Sequence, residues 1–168
     1  NPELKLIKSN GHALTYKLNL SYDKTYARDF SFVPEFQQGY FFGSGKSLLE
    51  DNTRIYTIGL VENTLNYKKD FEKHSLDVIL GQTFQRNSIV TRTGHSESLP
   101  EPYYPVLSNG SNQSSGGSEF ESTLASFFGR VNYSVDDKYL VTGTVRRDGS
   151  SRFAPQNRYG TFPSVALG

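Results

Sequence analysis

The feature that most restricts what this chain can fold into is an alternation of apolar and polar side chains with a period of two. From Leu14, apolar residues fall on Leu14, Tyr16, Leu18, Leu20 and Tyr22, with Thr15, Lys17, Asn19 and Ser21 between them. Successive side chains of an extended strand point to opposite faces, so such a run makes a ribbon with one greasy face and one wet face. The pattern returns at Leu76, Val78, Leu80 and Phe84, set against Ser75, Asp77 and Thr83. It returns again at Ala125, Phe127, Val131, Tyr133 and Val135, set against Ser126, Arg130, Asn132 and Ser134. Over residues 55–67 it is interrupted by Glu62 and Asn63, and over 139–145 polarity is mixed on both faces. The two faces of strands 54–68 and 138–148 therefore stay unassigned at this level. Helical periodicity is absent, which leaves room for a turn or two of helix inside the long loops.

The spacing predicts an all-β chain, an antiparallel up-and-down meander of about seven strands. They are expected at residues 3–8, 13–32, 54–68, 73–87, 122–135, 138–148 and 161–168. Short polar turns separate some of them: Ser9-Asn10-Gly11, residues 69–73 and residues 135–138. Asn and Gly tolerate positive φ and so suit such turns. The other connections are long, at residues 34–52, 87–122 and 148–160. The middle one contains residues 108–118, without an apolar side chain. Compact domains seldom carry structureless loops beyond about 12–15 residues. Short turns alternating with long loops is the order of an outer-membrane barrel, whose short turns face the periplasm. The chain is therefore expected to be part of a transmembrane β-barrel. Tyr67, Phe71, Tyr133 and Tyr139 flank the short turns, and Tyr26, Phe30 and Phe32 lie toward the opposite rim, where aromatic girdles rest.

Composition fits this reading. No apolar run approaches the roughly 18 residues of a membrane helix, but a membrane strand needs only about 9–11 with every second one apolar. The mean hydropathy of −0.55 suits a barrel whose lumen and loops are polar. Eleven Tyr and 12 Phe with no Trp fit a girdle, and also a sugar-binding β-protein. A net charge of +1 gives no pull toward nucleic acid. The absence of cysteine removes disulfides and thiolate metal sites. No methionine and no signal peptide precede Asn1-Pro2, and Phe162 to Gly168 reads as mid-strand, so excision from a longer protein is expected.

A more specific signal lies in Ser126-Phe127-Phe128-Gly129-Arg130-Val131-Asn132-Tyr133-Ser134. It continues through Lys138-Tyr139-Leu140-Val141-Thr142-Gly143-Thr144-Val145-Arg146-Arg147-Asp148-Gly149-Ser150-Ser151-Arg152-Phe153 to Asn157-Arg158-Tyr159-Gly160-Thr161-Phe162-Pro163-Ser164. This ordered stretch resembles the SusC/RagA family of TonB-dependent outer-membrane transporters. Glu62-Asn63-Thr64-Leu65-Asn66-Tyr67, His74-Ser75-Leu76 and Leu80-Gly81-Gln82 are similar more weakly. The resemblance implies about seven strands of a 22-stranded barrel closed by a plug, located in the bacterial cell outer membrane. It implies uptake of glycans or peptides (an oligosaccharide or peptide substrate) driven by TonB, with a SusD-like surface lipoprotein as lid. The implied partners are outer-membrane lipid, the rest of the parent barrel and its plug, that lipoprotein and TonB, but no nucleic acid. Residues 1–168 would be a partial TonB-dependent receptor β-barrel, with no plug domain, no TonB box and no signal peptide in this chain.

No catalytic, cofactor-binding or metal-binding residue is expected, and the chain is not read as an enzyme. Arg146, Arg147, Asp148, Arg152 and Arg158 form the clearest charged cluster. Arg forks suit carboxylates and phosphates, but the same residues also suit a loop network in which Asp148 pairs an Arg. Tyr40, Phe41, Phe42, Tyr103 and Tyr104 lie in the long loops, where binding groups concentrate. With Arg146, Arg147 and Arg152 they make up the candidate contacts to ligand or lipoprotein lid. Glu97, Glu101, Glu119 and Glu121 lack anything that fixes a glycosidase pair and read as solvated charge. His12, His74 and His95 lack ligand spacing, and Gly43-Ser44-Gly45-Lys46-Ser47 is short of a phosphate loop. The rival reading is a soluble all-β carbohydrate-binding module with its apolar face turned inward. The whereabouts of Leu18, Leu80 and Val131 separate the two.

Overall fold

The computed structural model describes residues 3–9, 11–40, 42–136 and 138–168. Its strands are β1 (Glu3–Ser9), β2 (His12–Val33), β3 (Phe36–Gln38), β4 (Phe42–Ser44), β5 (Leu48–Phe71), β6 (His74–Glu97), β7 (Ser111–Val135), β8 (Tyr139–Ser150) and β9 (Tyr159–Leu167). Seven of them form one sheet in the order β1-β2-β5-β6-β7-β8-β9, so each strand lies beside its sequence neighbour. β3 and β4 make a separate small hairpin between β2 and β5. Single 3₁₀ turns at Leu107–Asn109 and Pro155–Asn157 are the only helical elements among the described residues. The all-β meander read from the sequence is the architecture observed.

Short turns do alternate with long connections. Of the expected short turns, Asn10 and Asp137 lie outside the described residues. Gly11 has φ +77°, and a Cβ there would stand 2.7 Å from the Asp70 carbonyl oxygen. Only glycine meets both demands, and the backbone uses the closeness: Asp70 N–H donates to the Gly11 carbonyl at 3.0 Å. Glu72 (φ 51°), in the two-residue turn between β5 and β6, and Asp136 (φ 52°), in the three-residue connection between β7 and β8, take the left-handed conformation that suits tight hairpins.

Two expected loops are shorter than the sequence suggested. β5 begins at Leu48, β6 runs on to Glu97, and β7 begins at Ser111, so most of the Ser/Gly-rich stretch is strand. Such residues have low strand preference, but that preference is weak beside the ladder a neighbour offers. Gly117 shows the reason: a Cβ there would be 2.6 Å from the Thr91 carbonyl oxygen of β6, so the missing side chain lets the two backbones come close.

The chain divides into two compact units. The first holds Asn1–Asp23, Ile58–Asn87 and Ser122–Gly168, and the second Lys24–Thr57 and Ser88–Glu121.

In the first unit the register sorts side chains onto two faces. Gly129, Val131, Tyr133 and Val135 pair with Val145, Gly143, Val141 and Tyr139. On β9, Pro163, Val165 and Leu167 continue the same face. The alternate positions Ser126, Phe128, Arg130 and Asn132 pair with Asp148, Arg146, Thr144 and Thr142. This assigns the strand the sequence left open: odd positions of β8 are greasy up to Val145, and even ones from Thr142 are polar. β5 is assigned by its contacts. Asn19 and Thr83 meet Glu62, and Asn66 meets Asp77, on the polar face. Gly59 and Val61 line an apolar groove with Leu20, Tyr22 and Phe84 on the other.

Among the described residues of this unit that apolar face stands largely exposed. Leu80 is 54% and Val131 43% exposed, while Leu18 is half-buried beside Leu20, which is 63% exposed. Among the described residues only two hydrophobic side chains are buried, Leu49 and Leu99, and both belong to the second unit. A sandwich would bury these residues between two sheets. The first unit has no such core, so the soluble binding-module reading is not favoured.

The second unit has a small packed knot. Ser47, Leu49, Ser96 and Leu99 are buried together. Ser47 Oγ accepts from the Leu99 N–H at 2.7 Å, and the Ser47 carbonyl accepts from the Ser98 N–H at 2.9 Å. A loop that would otherwise leave buried backbone groups unpaired is thereby satisfied.

Candidate functional site

The polar face of the first unit carries a ladder of paired side chains. At its β1 edge Lys17 Nζ stands 3.2 Å from Glu3. Asn19 Nδ2 donates to Glu62 at 2.7 Å, and Asn66 Nδ2 donates to Asp77 at 2.8 Å with Lys68 Nζ 3.6 Å from the same carboxylate. Further along, Thr142 Oγ1 donates to Asn132 at 2.9 Å, and Arg130 Nε reaches Thr144 at 3.3 Å. Arg146 Nε lies 2.8 Å from both Asp148 oxygens, and its Nη2 is 3.4 Å from Ser126 Oγ. A cleft of about 450 Å³ opens beside this last pair, lined among others by Phe153, Asn157, Arg158 and Phe162.

These contacts arise because period two places every second residue of neighbouring strands on one side, where opposite partners lie close enough to bond. Chemically the face offers water-wet donors and acceptors with most charges locally compensated. That suits the lining of an aqueous lumen. Among the described residues no group of three His, Asp or Glu is placed to hold a metal.

Within the first unit the arginines singled out from the sequence stand at three different places. Arg146 is forked onto Asp148 on the polar face. Arg147 pairs with Thr161 on the opposite face, and its guanidinium carbon lies 4.9 Å from the centre of the Tyr159 ring. Arg152 sits in the following loop with Nη2 3.4 Å from Ser122 Oγ. Tyr103 packs edge-on against Phe32 at 5.3 Å. Desolvation, followed by the neighbouring Glu101, raises the pKa of its phenol. Tyr40 and Tyr104 are 89% and 71% exposed. Phe41 lies outside the described residues, as does the side chain of Phe42.

Sequence reasoning passed over the strongest electrostatic knot. Glu97, read there as solvated charge, holds Lys46 Nζ at 2.6 Å, Asn112 Nδ2 at 3.0 Å and His95 Nε2 at 3.3 Å. These partners, Lys46 foremost, hold its carboxyl down at about 2. Arg28 and Asp51 form a second fork, 2.7 Å at each bond, which lowers the Asp51 pKa through the Arg28 hydrogen bond. Apart from His95, two residues from Glu97, the partners lie far apart in sequence and are brought together only by the fold.

An antiparallel meander with a polar ladder on one face, an uncovered apolar face on the other, and short turns alternating with long loops defines a wall segment of an outer-membrane β-barrel. No family model matches the chain. It is 32% identical over 182 residues to "TonB-dependent receptor SusC" of Bacteroides thetaiotaomicron, across 99% of this chain and 18% of that protein. It is 40% identical over 117 residues to "TonB-dependent receptor P3" of Formosa agariphila, across 68% of this chain and 12% of that protein. In structure it is similar to a chain of the RagAB peptide transporter, with a TM-score of 0.84 over 98% of this chain and 18% of that chain, at 23% identity. The chain belongs to the SusC/RagA family of TonB-dependent receptors, as a segment of the β-barrel. It spans 18% of the length of the SusC relative.

Proposed function

We propose that this segment forms part of the wall of an importer of glycans or peptides in the bacterial outer membrane. The observation that carries this reading is the uncovered apolar face of the first unit, backed by the polar ladder. Its stretches of β5, β6 and β7 exceed the roughly 9–11 residues with which a tilted strand crosses the hydrocarbon. Lipid would cover Leu20, Leu80 and Val131, and water in the lumen would wet Glu62, Asp77, Arg130 and Thr144. The likeness to a named receptor and to a peptide transporter supports the import function.

In this reading the partners are the rest of the barrel and its plug, outer-membrane lipid, TonB and a SusD-like surface lipoprotein. Tyr40, Phe41, Phe42, Tyr103 and Tyr104 are contacts to that lid or to an oligosaccharide or peptide, together with Arg146, Arg147 and Arg152. The exposure of Tyr40 and Tyr104 supports this assignment.

Single cysteines placed in the full-length receptor test the reading. A membrane-impermeant maleimide added to outer-membrane vesicles is expected to label Asn132→Cys and Thr144→Cys, and to leave Leu80→Cys and Val131→Cys unlabelled. Equal labelling of both sets refutes it.

A further inference from the structure

The short-turn end of the first unit carries an arrangement that barrel lining and loop contacts do not use. His12, at the start of β2, and Tyr67, near the end of β5, join through Nδ1 and the phenol oxygen at 2.7 Å. One strand pair further along the sheet, His74 of β6 and Tyr133 of β7 repeat the same bond at 2.8 Å. Phe71 stacks on His74 with ring centres 5.2 Å apart, and His74 stacks on Tyr133 at 5.8 Å. Lys69 reaches over the Phe71 ring at 5.4 Å. Tyr67, Lys69 and Phe71 alternate along β5 on the face of Val61, and Tyr133 shares a face with Val131. The belt therefore lies on the apolar side, next to the turns.

An aromatic ring alone suffices to anchor at a lipid interface. Imidazoles are an unusual choice for an apolar face, because burying an unpaired polar nitrogen is costly. Each ring here spends Nδ1 on a tyrosine, which leaves Nε2 as the second nitrogen of a fixed, partly buried ring. When the tyrosine hydroxyl donates to Nδ1, the neutral ring carries its proton on Nε2, and the protonated ring has N–H at both positions. Both states present an Nε2–H donor. The neighbouring acids are largely engaged: Asp70 accepts from Ser75 at 2.7 Å, and Asp136 stands 3.4 Å from Lys73. Glu72 is at the turn tip. Lys69 adds a cation beside the belt.

We propose that this belt binds the phosphates of anionic phospholipids in the leaflet on the short-turn side, one at each His–Tyr pair. The Nε2–H groups of His12 and His74 and the Lys69 ammonium are the donors, and the Tyr67, Phe71 and Tyr133 rings flank the glycerol and upper acyl chain. Charge-assisted bonds of this kind are the stronger ones. The proposal rests on the reading of the first unit as membrane wall.

The test uses the full-length receptor with ¹⁵N-histidine in bilayers of phosphatidylglycerol and phosphatidylcholine. Through-space ³¹P–¹⁵N coupling by solid-state NMR is expected in the wild type, and is expected to be lost in the His12→Phe, His74→Phe double variant, which keeps the rings. In detergent, native mass spectrometry is expected to show phosphatidylglycerol retained at least fivefold more by the wild type than by the double variant or by Lys69→Gln. Neutral diacylglycerol is expected to show no such difference. Heat-modifiable gel mobility reports insertion independently. Normal insertion without His–phosphorus coupling overturns this inference alone, and so does a wild type that retains diacylglycerol as strongly as phosphatidylglycerol. Failure of the wild type to occupy the bilayer overturns the wall reading with it.

Discussion

Replacing Leu80 by arginine is the sharpest single perturbation of this structure. Leu80 lies in the middle of the β6 stretch of the first unit, and its side chain and that of Val145 close over Gly129 of β7. It is 54% exposed. If water bathed that side, a half-exposed leucine could become arginine with a change of within about 0.5 kcal/mol, as for most surface sites. If hydrocarbon bathes it, an arginine near the bilayer midplane costs about 2–4 kcal/mol. That corresponds to roughly 30- to 900-fold in the folding equilibrium. Thr144 supplies the control, because it neighbours Val145 on the same strand but faces the polar side opposite Arg130. Thr144→Arg places the same charge at the same level, in the lumen. Denaturant titration of the full-length receptor in phospholipid vesicles, followed by heat-modifiable mobility, reads both variants. Leu80→Arg is expected to lower stability by the membrane amount and Thr144→Arg by only about 0.2–1 kcal/mol, the cost of a like charge opposite Arg130. Equal small effects would refute the assignment of faces, and with it the argument for a lipid-covered wall.

Gly81→Ala would drive a methyl into the Phe128 ring on the polar face. A loss of about 1–3 kcal/mol is expected, largely relieved in a Phe128→Ala background in a double-mutant cycle. Ser47→Ala strips the buried Leu99 N–H of its acceptor, and hydrogen exchange over residues 98–110 is expected to speed up by the equivalent of about 1–3 kcal/mol. Glu97 titrates lower when folded than the roughly 4.3 of a free glutamate, so its contribution is complete above that value. As pH falls from about 4.5 toward 2 the contribution is lost. Exchange over the same loop is expected to accelerate across that window in the wild type and to show no such rise in Glu97→Gln.

Much of the fold was legible along the chain because its main determinant is local. Side-chain direction flips with every strand residue, so Leu14 to Tyr22 and Ala125 to Val135 announce two-faced ribbons without knowledge of their neighbours. Turn positions were also legible, since Gly11 is needed where φ is positive and a carbonyl comes close. Strand ends were not. Residues 111–118 have low strand preference and read as loop, yet β6 extends beside them and supplies the hydrogen bonds that hold them extended. Of the proposed contact residues, the pairing of Arg146 with Asp148 was anticipated as one of two readings. The separation of Arg147 onto the other face was not, because it follows from the register.

What the sequence alone determined is that these strands are amphipathic, antiparallel and joined by alternating short and long connections, since each of those properties is written in residues close together. The tertiary structure decided which partners meet: Glu62 with Asn19, Glu97 with Lys46, and each histidine of the belt with its tyrosine. It also decided that the apolar side chains of the first unit, Leu20, Leu80 and Val131 among them, stand exposed. Register and coverage depend on where another strand lies, and a one-residue slip would exchange the two faces entirely.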